Sequence, residues 1–362
     1  MRLTFPHMGN LWMSVKTMLD SLGVAVVLPP PSTKRTLSLG VRYAPEGACL
    51  PLKLNVGNFI EAAERGADTV IMAGGCGPCR FGYYAQVEEA VLGDLGVNLR
   101  FLVLEPPEKH ARELLDKIRT ITGTRSWWRV LRAVRRGFLV ACGLDALERK
   151  AQYVRPRELS PGDADRILAA VEREAASVPA AEIPGVVRRA LAAMEQVPRR
   201  DDRPVLRVGV VGEIFTVLEP FVNLDLMRRL GALGVEAERS IYLSEWINEH
   251  LFLGFHPGIR SSRPLVRAAR PYLGHGVGGH GQETVGSGVL YGNRGLDGIV
   301  QLLPFTCMPE IVAQHVLPSV SRDLRLPVLT LVLDEQTGET GVTTRLEAFV
   351  DLLWSRRGGI CA

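Results

Sequence analysis

The chain has 362 residues, 46% of them hydrophobic and 23% charged, which suits a soluble globular protein long enough for two domains with separate cores. A net charge of +4 is too slight to argue for nucleic acid, since a duplex needs a concentrated basic face. No apolar run reaches the roughly 18 residues of a membrane span, and the N-terminus MRLTFPHMGN lacks the long apolar stretch of a signal peptide. These exclusions predict a cytoplasmic protein. Six cysteines in that compartment argue for core residues, catalytic thiols or metal ligands, not for a disulfide framework.

In chain order, RLTFPHMGNLWMSVKTMLDSLGVAVVLPP reads as strand, Gly-containing loop, helix and strand, with Gly23 as the left-handed residue closing the helix. EGACLPLK follows. Cys49 stands just before a helix whose first turn accommodates Pro51, and a helix N-terminus stabilises a thiolate through its dipole and free N–H groups. Lys53, one turn on, can pair with thiolate charge or with a phosphate. An apolar strand over Thr69–Ala73 then runs into Gly-Gly-Cys76-Gly-Pro-Cys79, followed by a helix at 84–95 and a strand at 99–104.

From 109 to 203 the chain reads as a charge-rich helical region ending in the polar linker VPRRDDRP. Within it, RSWWRVLRAVRRGF predicts an amphipathic helix with Trp128, Leu131 and Val134 inward and the arginines solvated; the competing reading is a docking face for an acidic partner or a nucleotide. Cys142 falls on an apolar helical face and reads as packing. PVLRVGVVGEIFTVLEPFVNLDLMRRLGALGVEAERS then repeats the opening grammar, with Gly234 in the place of Gly23 and Glu213 at the end of its strand as a candidate acid/base. The glycine-rich segment GHGVGGHGQETVGSGVLYGNRGLDG carries His275, His280 and Glu283. It precedes a strand, so it fits no phosphate-loop template. Its polar residues read either as acid/base groups or ligands or as a flexible surface loop. A strand at 298–305 leads to Cys307, again just before a helix with proline in its first turn, and the tail SRRGGICA holds Cys361.

The expected architecture is α/β, with two doubly wound parallel sheets and a helical insert between them. Its boundaries are an N-terminal α/β domain at 1–108, the insert and linker at 109–203, a C-terminal α/β domain at 204–354 and a tail at 355–362.

Cys49, the Cys76/Cys79 pair and Cys307 each fall between a strand and a helix, where ligands of an α/β sheet converge. We read them as one metal site built from three segments, with an iron–sulfur cluster as the expected occupant. Thioredoxin-type dithiol chemistry also uses C-G-P-C after a strand, but it leaves Cys49 and Cys307 without a role. Zinc usually takes two short knuckles, and only one is present. No G-x-x-x-x-G-K-[ST] occurs, so an ATP-driven step is expected from another protein or from a nucleotide fold with subtler signatures.

At EGACLPLKLNVGNFIEAAERGAD, RVGVVGEIF and GLDGIVQLLPFTCMPEIVAQHVLPSVSRDLRLPVLTLVLDEQTGETGVTTRLEAFVDLL the chain resembles the 2-hydroxyacyl-CoA dehydratase component family, including the domain fused to acyl-CoA dehydratase activators and the double-cubane cluster proteins. The resemblance implies two flavodoxin-like domains holding a 4Fe–4S cluster, or an 8Fe–9S double cubane, on Cys49, Cys307 and one or both of Cys76 and Cys79. It also implies a small ATP-hydrolysing activator of the actin/Hsp70 type, with its own cluster, that delivers low-potential electrons. In the dehydratases that electron makes a ketyl radical of an acyl-CoA thioester. Pairing with itself or with a homologue is expected. The alternative is a non-catalytic electron relay or activase-associated protein. The chain departs from the dehydratase pattern in its doubled middle cysteine and its basic helical insert.

Overall fold

Five apolar runs that cannot pair their own backbone groups supply most of the strands of two parallel sheets. The computed structural model describes residues 1–75, 78–105, 107–124, 126–252, 254, 256 and 258–358, those at 107–112 by backbone alone. In chain order, β1 (Leu3–Thr4) leads to α1 (Leu11–Asp20), α2 (Lys34–Tyr43), α3 (Leu50–Glu64), β2 (Thr69–Ala73), α4 (Tyr84–Asp94) and β3 (Arg100–Leu104). A helical stretch follows, comprising α5 (Pro107–Thr122), α6 (Trp127–Val154), α7 (Asp163–Ser177) and α8 (Ile183–Glu195). Next come β4 (Leu206–Gly212), the short helices α9 (Ile214–Leu218), α10 (Pro220–Asn223) and α11 (Leu226–Ala232), and β5 (Val235–Arg239). The chain ends through α12 (Leu243–Leu251), α13 (Arg263–Ala269), α14 (Gly281–Asn293), β6 (Gly298–Pro304), α15 (Met308–Leu324), β7 (Val328–Leu333) and α16 (Glu339–Gly358).

These elements pack into two compact units. One comprises Met1–Cys142, Val178–Pro184 and Leu243–Ile259; the other comprises Gly143–Ser177, Gly185–Tyr242 and Arg260–Ala362. The 109–203 stretch is divided between them.

The first unit's sheet has the order β1-β2-β3, all parallel, with Leu3 opposite Thr69 and Thr69 opposite Arg100. Beyond β1, the strand expected after Gly23 is present as a single parallel bridge between Leu3 and Val26. The Leu3 N–H donates to Ala25 O at 2.9 Å and the Val27 N–H to Leu3 O at 2.7 Å. Pro29, Pro30 and Pro31 lack the donors to extend the ladder. Counting that bridge, the spatial order is second, first, third, fourth. Alternate residues of β2 face opposite cores, as the period of a strand requires. Val70 and Met72 pack with Val56 and Phe59 of α3 and Leu92 of α4. Ile71 packs with Leu19 of α1, Ile121 of α5 and Val130 of α6. Both faces of the sheet are therefore covered by helices.

The second unit repeats this plan with the order β5-β4-β6-β7, again all parallel. Gly23 and Gly234 take φ of 76° and 77°, closing α1 and α11 as their position before the next strand predicts.

The glycine-rich stretch differs from a flexible loop: residues 281–293 are the helix α14. Its glycines serve close packing, not turning. A Cβ at Gly286 would lie 2.0 Å from Leu265 O of α13, so the two helices meet backbone to backbone. The pair α2–α3 is built the same way, with a Cβ on Gly57 falling 2.0 Å from Thr36 O.

The orientation of α6 corrects part of the sequence reading. Val134 packs inward as expected, but Trp128 is 79% exposed and Leu131 55%, whereas Val130, Ala133 and Phe138 are buried. The inward face is the one that carries Gly137, where a Cβ would sit 2.9 Å from Ser14 O, and Trp128, nine residues earlier, falls on the opposite face. Among the described residues, no helix is long and apolar enough to cross a membrane.

Candidate ligand sites at the mouths of the two sheets

In each unit the chain leaves neighbouring strands toward opposite sides, β1 and β2 in the first and β4 and β6 in the second. Such switch points open a crevice at the carboxyl ends of the strands. Cys49, Cys79, Glu213, His280, Glu283 and Cys307 lie on the segments at those ends.

In the first unit Cys49 is the N-cap residue of α3, with extended φ and ψ of −71° and 156°, and Pro51 occupies the first turn. Its side chain is buried, and the Tyr84 hydroxyl at the start of α4 lies in hydrogen-bonding contact with its Sγ. Cys79 is the half-buried N-cap of a short 3₁₀ turn, Arg80–Tyr83, that runs into α4. Arg80 Nη1 donates to Gly47 O at 3.0 Å, which ties the Cys79 turn to the segment two residues before Cys49. The first two cysteine segments are thus brought together. Cys76 lies outside the described residues, as does Cys361. Cys142 is half-buried within α6. Lys53 is buried in α3, and His7, three residues past β1, is also buried.

In the second unit Cys307 is the half-buried N-cap of α15, and Pro309 takes the place that Pro51 takes in α3. The Cys307 N–H donates to Pro304 O at 2.9 Å, and the Ile311 N–H to Cys307 O at 2.9 Å. Thr306, immediately before it, has φ of 67°. A β-branched residue in the left-handed region is a strained conformer held by its surroundings, a condition that concentrates at functional sites. Cys49-Leu-Pro and Cys307-Met-Pro are therefore the same local device, a thiol at a helix N-terminus beside a switch point.

His280 caps α14 and is half-buried, and Glu283 lies in that helix's first turn. The two N-termini adjoin: a Cβ on Gly281 would meet Pro309 O at 2.4 Å. His275 sits apart on an exposed loop. Glu213 is the N-cap of α9, half-buried, accepting from the Phe215 and Thr216 N–H groups at 3.0 Å each. Burial raises its carboxyl above the ordinary range against the pull of those two donors.

Sequence reasoning passed over Glu310. It is fully buried, accepting from Thr284 Oγ1 at 2.8 Å and from Gln301 Nε2 at 3.0 Å. Burial pushes it up to about 7, those two donors oppose the rise, and the carboxylates of Glu213 and Glu283 add to it. The available signal was Gln301, an amide inside an otherwise apolar strand. Tyr84 gave no such signal.

Among the described residues, no three His, Cys, Asp or Glu side chains converge in a metal-binding geometry. Cys49 and Cys79 belong to one unit and Cys307 to the other. The local chemistry nonetheless fits soft thiolate ligation: Cys49 and Cys307 are α-helix N-caps, Cys79 caps a short 3₁₀ turn, and the Cys49 sulfur meets a hydroxyl.

Residues 3–72 match the family described as the CoA enzyme activase uncharacterised domain. The matched stretch runs from β1 through β2 and contains Cys49, and it links this part of the chain to the CoA-enzyme activase and dehydratase family. Comparison with curated proteins gives no match.

Proposed function

We propose that the chain is an iron–sulfur protein of the 2-hydroxyacyl-CoA dehydratase and activase kind. It holds a cluster on Cys49, Cys307 and one or both of Cys76 and Cys79. The observation that carries this reading is the repeated Cys-x-Pro helix N-cap at a switch point, once in each unit. The family match over 3–72 and the strand order support it, since that order corresponds to the first four strands of the flavodoxin type.

When bound, the cluster supplies single-electron chemistry at low potential. The chain's own residues do the rest. Helix N-termini stabilise the thiolates, and the Tyr84 hydroxyl meets one of the sulfurs. Glu213, half-buried with a raised carboxyl, can hold a proton at the mouth of the second sheet, where its charge and that of Glu283 both reach Glu310. An ATP-hydrolysing activator of the actin/Hsp70 type supplies the electrons, the chain pairs with itself or a homologue, and a small acyl-CoA is the expected substrate class.

A second reading, an activase-associated electron relay, is favoured by the matched family's description, which is that of an activase domain. Electron paramagnetic resonance of the reduced protein separates the two. A spectrum that changes on adding acyl-CoA thioesters is expected of the enzyme. Indifference to every thioester, with intact electron exchange, identifies the relay.

A further inference from the structure

The α3–α4 contact in the first unit is polar where the surrounding core is apolar. Tyr84 is 6% exposed and Cys49 7%, and both lie among Val56, Phe59, Val70 and Leu92. Phe81 meets the Tyr84 ring edge-on, with centroids 5.3 Å apart, and fixes its orientation. One turn further along α4, Glu88 is fully buried and accepts from Asn55 Nδ2 of α3 at 3.1 Å. Glu88 Oε2 and Asn55 Oδ1 have no hydrogen-bond partner among the described residues. Burial raises the Glu88 carboxyl well above its ordinary range, and the Asn55 bond opposes the rise.

A purely packing role would be met better by apolar residues, because unpartnered buried oxygens cost stability. What the seam provides is a buried hydroxyl, its ring braced by Phe81, beside a sulfur. A hydroxyl donating to a thiolate makes a charge-assisted bond, and it strengthens as negative charge on the sulfur grows.

We propose that Tyr84 is a positioning residue whose hydroxyl donates to the Cys49 sulfur and favours the reduced, more negative form of the group bound there. The inference rests on the iron–sulfur reading above and goes further, by assigning control of the potential to a residue that is not a ligand. Without the donor, the reduced form loses more than the oxidised form does, so the midpoint falls.

The test uses the full chain, loaded with iron and sulfide under anaerobic conditions, as wild type, Tyr84→Phe and a variant with p-aminophenylalanine at 84. Iron and sulfide are counted first, and the midpoint is then read by a dye-mediated redox titration. Tyr84→Phe is expected to keep its iron and to shift the ratio of reduced to oxidised form about tenfold toward oxidised, equivalent to 59 mV for one electron. The amino variant, which restores a donor on the same ring, is expected to recover most of that shift. If Tyr84→Phe loads iron and its midpoint is unmoved, the proposal is overturned and the cluster reading stands. Tyr84→Phe that loses its iron while the amino variant loads at an unshifted midpoint supports the proposal, because the donor alone separates the two. Loss in both variants makes the tyrosine structural and overturns it. Wild-type protein that takes up no iron overturns this inference and the cluster reading together.

Discussion

Cys307→Ser protein, isolated without oxygen, is expected to carry iron at background level while its metal-free form stays as stable as wild type. The residue caps α15 with extended φ and ψ of −75° and 101°, the conformation in which a serine hydroxyl accepts from the first-turn N–H groups. The cysteine makes no side-chain cap bond. Serine therefore maintains or improves the helix end, by up to about 1 kcal/mol, while replacing a soft thiolate with a hard, weakly ligating oxygen. Cys307→Ala removes the ligand without that compensation and is expected to lose iron equally. Cys142→Ala, within α6, is expected to retain wild-type iron. Iron content measured against the thermal midpoint separates a lost ligand from a lost fold. Iron retained in Cys307→Ser and lost in Cys142→Ala would overturn the ligand assignment.

Glu310→Gln is expected to flatten the fall in stability between acid and neutral pH. Glu310 has a folded-state value of about 7 against an ordinary value of 4.5, because it is fully buried. A carboxyl raised on folding holds more protons folded than unfolded between those two values, so stability is complete below about 4.5 and declines as pH rises toward 7. At 1.36 kcal/mol per pH unit the loss is roughly 3 kcal/mol by neutral pH. Glu88 and Glu213 are shifted in the same direction and act with the same sign. A glutamine at 310 can accept from Gln301 Nε2 and donate to Thr284 Oγ1, so both contacts survive in the neutral form. Urea denaturation at pH 5 and pH 8 reads the effect. The variant should match wild type at pH 5 and exceed it at pH 8. A variant less stable than wild type at both would mean that the carboxylate is ionised and held by those donors.

Much of the fold was legible because apolar runs and turn residues agree locally. Thr69–Ala73 forms the strand its composition predicts, and Gly23 and Gly234 close their helices. Cys49 and Cys307 were placed before helices because proline two residues on suits a first turn. Close packing hid the rest. Glycines usually break helices, so α14 read as a loop; its close approach to Leu265 O is a tertiary fact that no local pattern carries. The close approach of Gly137 to Ser14 O, on the face of α6 opposite the exposed Trp128, is another such tertiary fact. Tyr84 and Glu310 contact partners 35 and 26 residues away in sequence, Cys49 and Thr284; Gln301 was a signal for the second, and nothing near Tyr84 announces the first.

The most direct measurement is iron and acid-labile sulfide per chain after anaerobic isolation. The cysteine-ligated cluster proposed here predicts about four irons with matching sulfide for a cubane, or about eight for a bridged pair. Colourless protein without iron or sulfide, still folded and with its thiols titrating as free or as a Cys76–Cys79 disulfide, would contradict it.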